Sequence, residues 1–173
     1  MEMALVLLLL VGIVIGISEL GIAFRDWLSV STATRSGARV ASAVGDDVNA
    51  DCLILEATAG ALVSVPIDDI ESLWIFQADT NGDPTGQQQV FRPGNVATPD
   101  EILVCGNWLK NTGQSNWEHD ERKVVADDLD IVGVRVNFTH HWVTNFPPFV
   151  GTADFQDDAI MRMEPQFFSD SSP

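Results

Sequence analysis

The sequence predicts an α+β protein, in which one long N-terminal hydrophobic α-helix carries a globular head made of a second helix and an antiparallel β-sheet. Residues 3–18 carry no charged side chain, and residues 25–44 stay rich in Ala, Val and Ser without a proline. Later segments of β-rich composition alternate with turn residues. We therefore divide the chain into a transmembrane or assembly helix, residues 1–44, and an acidic head domain, residues 45–173.

The first helix is predicted to run from Glu2 to Val44, and Gly45 is predicted to terminate it. A bilayer core requires about 20 mainly apolar residues in a helix, and residues 3–24 supply that length if Glu19 is tolerated within the span. A secretory signal peptide is the alternative, but a basic N-terminal region and a clear small-residue cleavage pattern are both missing. We expect one continuous helix, apolar on all sides in its first half and amphipathic in its second.

Two carboxylates flank the apolar run. A charged group in hydrocarbon is costly, so it is paired, neutralised or functional. Glu2 lies at the helix start, where the headgroup layer and the helix dipole both accommodate an anion. Glu19 lies near the far end of the run, and we expect it at the membrane interface with contacts to its own helix.

Small residues are frequent along this helix. Gly12 and Gly16 form a G-x-x-x-G pattern in an apolar segment, and residues 29–43 are rich in Ala, Ser and Gly. Such residues allow helices to approach closely. The pattern predicts a helix that packs on other helices, and Trp27 stands where an interfacial anchor is expected.

The head is predicted to contain a second helix and three strands. The helix covers residues 48–63, with Asp47 as its N-cap. Asn81 and Gly82 supply the turn after the first strand, and residues 93–130 are expected to be irregular. The strands are predicted over residues 70–78, 131–142 and 158–165.

The chain contains two cysteines, Cys52 and Cys105, and no C-x-x-C pair. A zinc site or a thioredoxin-type motif therefore has no support. Two well-separated cysteines outside a membrane segment favour one disulfide formed in an oxidising compartment, with two buried free thiols as the alternative. If the bond forms, closing a loop of this size contributes roughly 4 kcal/mol in the chain-entropy model.

The chain is strongly acidic, with a formal net charge of −16. This charge repels phosphates, so it argues against binding to nucleic acid and to anionic lipid surfaces. By the positive-inside rule, the three arginines after the apolar run would place the head inside the cell, whereas a disulfide predicts the outside. A basic leader upstream of the residues shown would resolve this conflict.

One segment resembles part of a calcium loop. Asp79, Asn81 and Asp83 match its first three ligand positions, but Pro84 and Val90 replace the loop glycine and the terminal acid. A β-turn is therefore the favoured interpretation, and no metal is assigned.

The remaining polar and aromatic residues suggest no catalytic site. His140 and His141 are adjacent in a predicted strand and point to opposite faces, and His119 lies in a charged loop. Because no Ser-His-Asp spacing, phosphate loop or dinucleotide motif occurs, we expect a non-enzymatic protein without a cofactor. Trp108 and Trp117 flank a polar loop, where packing is favoured over binding of a partner or a sugar.

An acid at Glu2, an aliphatic run over residues 5–11, Glu19 followed by Gly21, and the segment ATRSGAR of residues 33–39 form one pattern. This pattern resembles the N-terminal signature of TadE-like proteins of the tight-adherence (Tad, or Flp) pilus system. The actinobacterial branch of the family looks most similar. A weaker likeness continues through residues 73–86, 131–144 and 159–165.

The resemblance implies a structural pilin-like subunit of a Tad or type IV-like pilus. Such proteins carry a short basic leader that a prepilin peptidase removes, and Glu2 would then pair with the free N-terminal amine of a neighbouring subunit. The chain departs from the pattern because no leader or glycine cleavage site precedes Glu2. Either Met1 is close to the processed end, or the start shown is incomplete.

The resemblance also implies partners and a location. The expected partners are copies of the chain or other pilins, the prepilin peptidase, the assembly machinery, and membrane lipid before assembly. The expected location is a single-pass membrane state followed by an extracellular pilus on a bacterial surface. A homopolymerising major subunit and a monomeric membrane-anchored surface binding protein are the alternatives. The expected assembly residues are Glu2, Gly12, Gly16 and Glu19.

Overall fold

This computed structural model describes residues 2–95 and 97–166, with the side chains of residues 2, 4 and 5 left outside the description. It contains a first helix, α1 (Glu2–Val44), a second helix, α2 (Ala50–Ala61), and an antiparallel sheet. The predicted α+β fold class is confirmed. The first helix is continuous over 43 residues, and Gly45 follows it with a φ of 57°, a left-handed conformation that glycine adopts without strain.

The turn between the two helices differs from the prediction. Asn49 is the N-cap residue of α2, so the prediction of Asp47 as the cap is wrong. Asp47 instead forms an Asx turn, in which its carboxylate accepts a hydrogen bond from the Asn49 amide at 2.7 Å. Its carbonyl accepts a second one from the Ala50 amide at 2.8 Å. These local bonds stabilise a connecting turn where the sequence suggested a helix start.

The described part of the head contains eight strands and two short 3-10 helices. The 3-10 helices are Ile67–Asp69 and His119–Glu121. The strands are β1 (Ile70–Ala78), β2 (Pro84–Pro93), β3 (Glu101–Cys105), β4 (Trp108–Asn111), β5 (Val124–Val125), β6 (Asp128–Leu129), β7 (Ile131–His141) and β8 (Thr152–Arg162). Six of them form an antiparallel sheet in the order β3-β4-β2-β1-β7-β8, and β5 pairs with β6.

Two of the three predicted strands have nearly the predicted bounds. The bounds of β1 are the predicted ones, and β7 ends one residue early. The third, β8, begins six residues before its predicted start, because it pairs with β7 along the full length of both strands, from Thr152 opposite His141 to Arg162 opposite Ile131. The predicted turn at Asn81 and Gly82 is also confirmed, with Gly82 at a φ of 94°.

The prediction that residues 93–130 are irregular is wrong, because this segment contains four short strands, β3 to β6. Ion pairs hold several of its parts. The Arg92 guanidinium forms an ion pair with Glu101 and lowers the pKa of that carboxyl to about 2. The buried Arg122 forms an ion pair with Asp51 of α2. Local composition carries little sign of such partners.

Trp108 and Trp117 are both buried in the hydrophobic core. The packing interpretation of these residues is therefore confirmed. Binding of a partner or a sugar by their rings is excluded, because the rings are not accessible: Trp117 has an exposed fraction of 0% and Trp108 of 5%.

The core lies between the two helices and the inner face of the sheet. Val30, Ala38 and Ala41 of α1 pack with Ile54 and Leu55 of α2, and each of these side chains is fully buried. Strands β7 and β8 also contact α1. The second half of α1 is thus part of the core of the head, while residues 2–22 project from it. We call residues 2–22 the rod.

Gly37 is the point of closest approach between α1 and its neighbours. A Cβ atom at this position would lie 2.2 Å from the Thr58 hydroxyl oxygen of α2 and 3.2 Å from a methyl carbon of Val134 in β7. Thr58 is fully buried and donates its hydroxyl proton to the Ile54 carbonyl at 2.7 Å, so it cannot simply rotate away. Only glycine fits here without displacing α2 or β7.

We predict that Gly37→Ala lowers the stability of the head by about 1–3 kcal/mol, the usual cost of overpacking a filled core. Gly60→Ala in α2 is the matched control, because a Cβ atom there would have no atom within 4 Å. Both substitutions increase helix propensity by the same amount, so the difference in stability between the two variants reports the steric contact at Gly37. Thermal unfolding of the detergent-solubilised protein measures it, and equal melting temperatures for the two variants would contradict the prediction.

Candidate assembly surface

The rod exposes a continuous apolar surface. Met3, Leu8 and Ile17 have exposed fractions of 85%, 70% and 67%, and the other described leucines of the rod are similar. At a rise of 1.5 Å per residue, the rod is about 30 Å long, which is the thickness of a bilayer core. Among the described residues, α1 is the one helix whose length and composition would allow it to cross a membrane.

The two glycines of the predicted G-x-x-x-G pattern have different surroundings. A Cβ atom added to Gly12 would have no atom within 4 Å, whereas one added to Gly16 would lie 3.5 Å from the Phe149 ring. Gly16 therefore packs against the head of its own chain, and Gly12 faces open space. Contact of either glycine with a second helix stays a prediction.

Glu19 is buried, with an exposed fraction of 1%. Its carboxylate accepts hydrogen bonds from the backbone amides of Val143, at 3.1 Å, and Thr144. Both donors belong to residues 142–151, the loop between β7 and β8, which folds over the end of the rod. The expected contacts of Glu19 with its own helix are therefore replaced by bonds to a distant loop. Amide donors suit a buried carboxylate, because a hydrogen bond to a charged acceptor is stronger than a hydrogen bond to a neutral acceptor.

A second buried acid lies two turns further along α1. Asp26 contacts Nδ1 of His140 at 2.9 Å, and both side chains are nearly inaccessible. The His140 ring meets Trp142 edge-on, with 4.8 Å between ring centroids. The expectation that His140 and His141 point to opposite faces is confirmed, because His140 is buried and His141 is exposed. Within the described residues, no three His, Cys, Asp or Glu side chains converge on a point where a metal ion would bind.

An apolar groove of about 580 Å³ adjoins these acids at the junction of rod and head. Phe24 and Trp27, with ring centroids 5.8 Å apart, contribute exposed aromatic surface to it. Trp27 as an interfacial anchor stays a prediction. The groove is lined by Leu20, Gly21, Ala23, Phe24, Trp27, Trp142 and Phe155.

The segment at residues 33–39 has two chemically distinct faces. Its small residues Ala33, Thr34 and Ala38 are fully buried against the head, and the Thr34 hydroxyl lies 3.1 Å from the Asp157 carboxylate of β8. Arg35 and Arg39 point outwards and are exposed. The alternation of small and basic residues thus follows from one face that packs closely and one face that is accessible.

Residues 1–39 match the family model of TadE-like proteins. The match covers the rod, Glu19 and the segment at residues 33–39, and it agrees with the resemblance seen in the sequence. No curated protein and no solved structure shows significant similarity to the chain. The match therefore shows similarity to TadE-like proteins over most of the long N-terminal helix. The likeness to the actinobacterial branch stays a prediction.

The two cysteines lie next to each other but are not bonded. Cys52 of α2 and Cys105 at the end of β3 are both half-buried free thiols, and the Cys52 thiol lies 3.8 Å from the Val104 carbonyl. Burial and the adjacent Cys52 thiol raise the pKa of Cys105 to about 12. The structure therefore brings together the predicted pair without the predicted bond, which stays a prediction.

Sequence reasoning missed Asp26, His140 and the loop at residues 142–151 as parts of this junction. One signal was present for Asp26. It lies seven residues after Glu19, so both acids lie on the same face of α1, together with the buried Ala23 and Val30. The loop offered no such signal, because its contact with α1 joins residues more than 120 positions apart.

We predict that Glu19→Gln loosens the loop over the rod. Loss of charge on the acceptor weakens two buried hydrogen bonds by about 1.5 kcal/mol together, or roughly tenfold in the opening equilibrium. Hydrogen–deuterium exchange at the Val143 and Thr144 amides measures this opening. Glu56→Gln on the exposed side of α2 is the control and should leave both rates unchanged. Unchanged exchange in Glu19→Gln would show that the carboxylate does not hold the loop.

Proposed function

We propose that this chain is a structural pilin-like subunit of a Tad-type pilus. The rod holds the chain in the membrane before assembly and packs against the rods of other subunits afterwards. The observation that carries this proposal is the projecting rod itself, which exposes apolar side chains along most of its length and is continuous with a helix buried in the head.

The energetics favour a sheltered rod. Full burial of one Leu, Ile or Val side chain contributes about 1.5–3 kcal/mol, and the rod presents such side chains on most of its surface. Lipid shelters them in a single-pass membrane state, and sister rods shelter them in a filament. Small residues such as Gly12 permit the close helix approach that packing between rods requires.

The acidic head completes the proposed subunit. We assign residues 1–44 to anchoring and assembly through the rod, while the second half of α1 joins residues 45–173 in a head exposed outside the cell. The net charge of −16 keeps such heads soluble. The prepilin peptidase, the assembly machinery and either copies of the chain or other pilins are its proposed partners.

We also propose that Cys52 and Cys105 are joined in the exported protein. The head would then gain a link between α2 and β3, which are already in contact. Mass spectrometry of non-reduced peptides from the pilus-bearing cell surface is the test, with a reduced sample as control. Complete alkylation of both thiols in exported protein would rule the bond out.

The proposed role of Glu2 is to pair with the positive N-terminal amine of a neighbouring subunit. Glu2→Ala is expected to leave expression and membrane insertion intact and to reduce filament yield at least tenfold, because an unpaired ammonium in an apolar bundle is costly. Glu2→Asp keeps the charge and is the matched control. Wild-type filament yield in Glu2→Ala would remove the pairing role.

Immunogold electron microscopy of sheared surface material is the decisive experiment for the function. An antibody to the head should label filaments, along their length for a major subunit and at sparse positions for a minor one. A chain found only in the membrane fraction of cells that carry Tad pili would refute the pilin role. That result would favour a monomeric membrane-anchored surface binding protein.

A further inference from the structure

Arg35 and Arg39 are exposed on the outer face of α1, one helical turn apart, and we call them the arginine pair. Six of the nine Lys and Arg side chains form ion pairs with a described Asp or Glu, and the arginine pair forms none with the described residues. This is unexpected in a chain with 25 acidic residues. Two like charges at this spacing also repel each other slightly.

Lipid headgroups are poorly placed to bind the arginine pair. Arg35 lies 11 residues beyond Phe24, the last residue of the apolar run. At 1.5 Å per residue, this is about 16 Å along the helix axis, whereas the headgroup layer on one side of a bilayer is about 5–8 Å thick. The arginine pair therefore lies beyond the headgroups when the rod spans the membrane, at the level of neighbouring heads.

The opposite side of the head carries a complementary groove of about 420 Å³ on the outer face of the sheet, which we call the acidic groove. Glu71 and Asp154 are its exposed carboxylates, and neither forms an ion pair with a described residue. Its other lining residues include Ser72, Trp74, Asn137 and Gln156.

The chemistry of the acidic groove suits a guanidinium group. The Thr139 hydroxyl lies 2.7 Å from the Glu71 carboxylate and 3.3 Å from that of Asp154. A hydroxyl has a single proton, so it cannot donate fully to both carboxylates. A guanidinium supplies several coplanar donors to two carboxylates and stacks on an indole ring, which Trp74 provides.

We propose that the arginine pair of one subunit docks in the acidic groove of a second copy of this chain. The inference rests on the proposed function, and it adds a contact between heads to the packing of the rods. The two surfaces lie on opposite sides of the head, because α1 covers the inner face of the sheet and the groove opens on the outer face. A contact between different surfaces of identical subunits does not close a dimer, and it propagates into an open filament when its rotation does not close a ring.

The test is a charge swap in the full-length chain. Protein in non-ionic detergent is induced to assemble by detergent removal, and sedimentation gives the critical concentration at low and high NaCl. Arg35→Glu with Arg39→Glu should raise the critical concentration about tenfold at low salt, since each exposed ion pair contributes modestly and its reversal adds repulsion. Adding Glu71→Arg and Asp154→Arg to the double variant should restore assembly, because the charges of both surfaces are then exchanged.

Lys123→Glu with Arg162→Glu is the control, because it makes the same charge change at two exposed sites outside both surfaces. It should assemble like the wild type. Unchanged assembly of the Arg35→Glu, Arg39→Glu variant, or no restoration by the swap, overturns the docking and leaves the packing of the rods intact.

Binding to vesicles of phosphatidylcholine and phosphatidylglycerol is measured in parallel. Loss of vesicle binding in the variant, with wild-type assembly, assigns the arginine pair to lipid and also overturns the docking. Failure of the wild-type chain itself to assemble also overturns the docking, and it leaves a subunit that packs with other pilins as the proposed function.

Discussion

The continuity of α1 is the constraint on which the rest of the structure depends. One unbroken helix of 43 residues lies in two environments, a projecting rod and a packed core. The rod carries large apolar side chains that the head leaves exposed. The second half needs small ones, because α2 and β7 approach it closely at Gly37. A rigid helix shared by both parts fixes the direction of the rod relative to the head.

Glu19 and Asp26 mark the boundary between these environments. Each acid is buried, and each receives its partner from the head: the amides of residues 143 and 144 for Glu19, and His140 for Asp26. The Glu19 carboxylate near the end of the apolar run is therefore explained by hydrogen bonds within a single chain. These bonds tie the rod end to the β7–β8 loop, beside the apolar groove.

The two sides of the head have different chemistry. The inner face of the sheet is apolar and covered by the helices, while the outer face carries carboxylates, amides and the partly exposed Trp74. Most cations of the chain are used in ion pairs within the head. The exposed arginines of α1 are thus the basic surface opposite an acidic one. The proposed docking uses this polarity to give the heads a direction, which the non-directional attraction between apolar rods does not supply.

The sequence by itself determined the long helix, its end at Gly45, the strands β1 and β7 and the turn between β1 and β2. Each of these depends on local periodicity, glycine conformation or side-chain shape. Only the tertiary structure decided the strands within residues 93–130, the start of β8, the burial of Glu19 and its contact with the β7–β8 loop. The partners in these cases lie far apart along the chain, as Arg122 and Asp51 do. Local composition does not encode such pairs, because their stability comes from distant groups that meet only in the folded head.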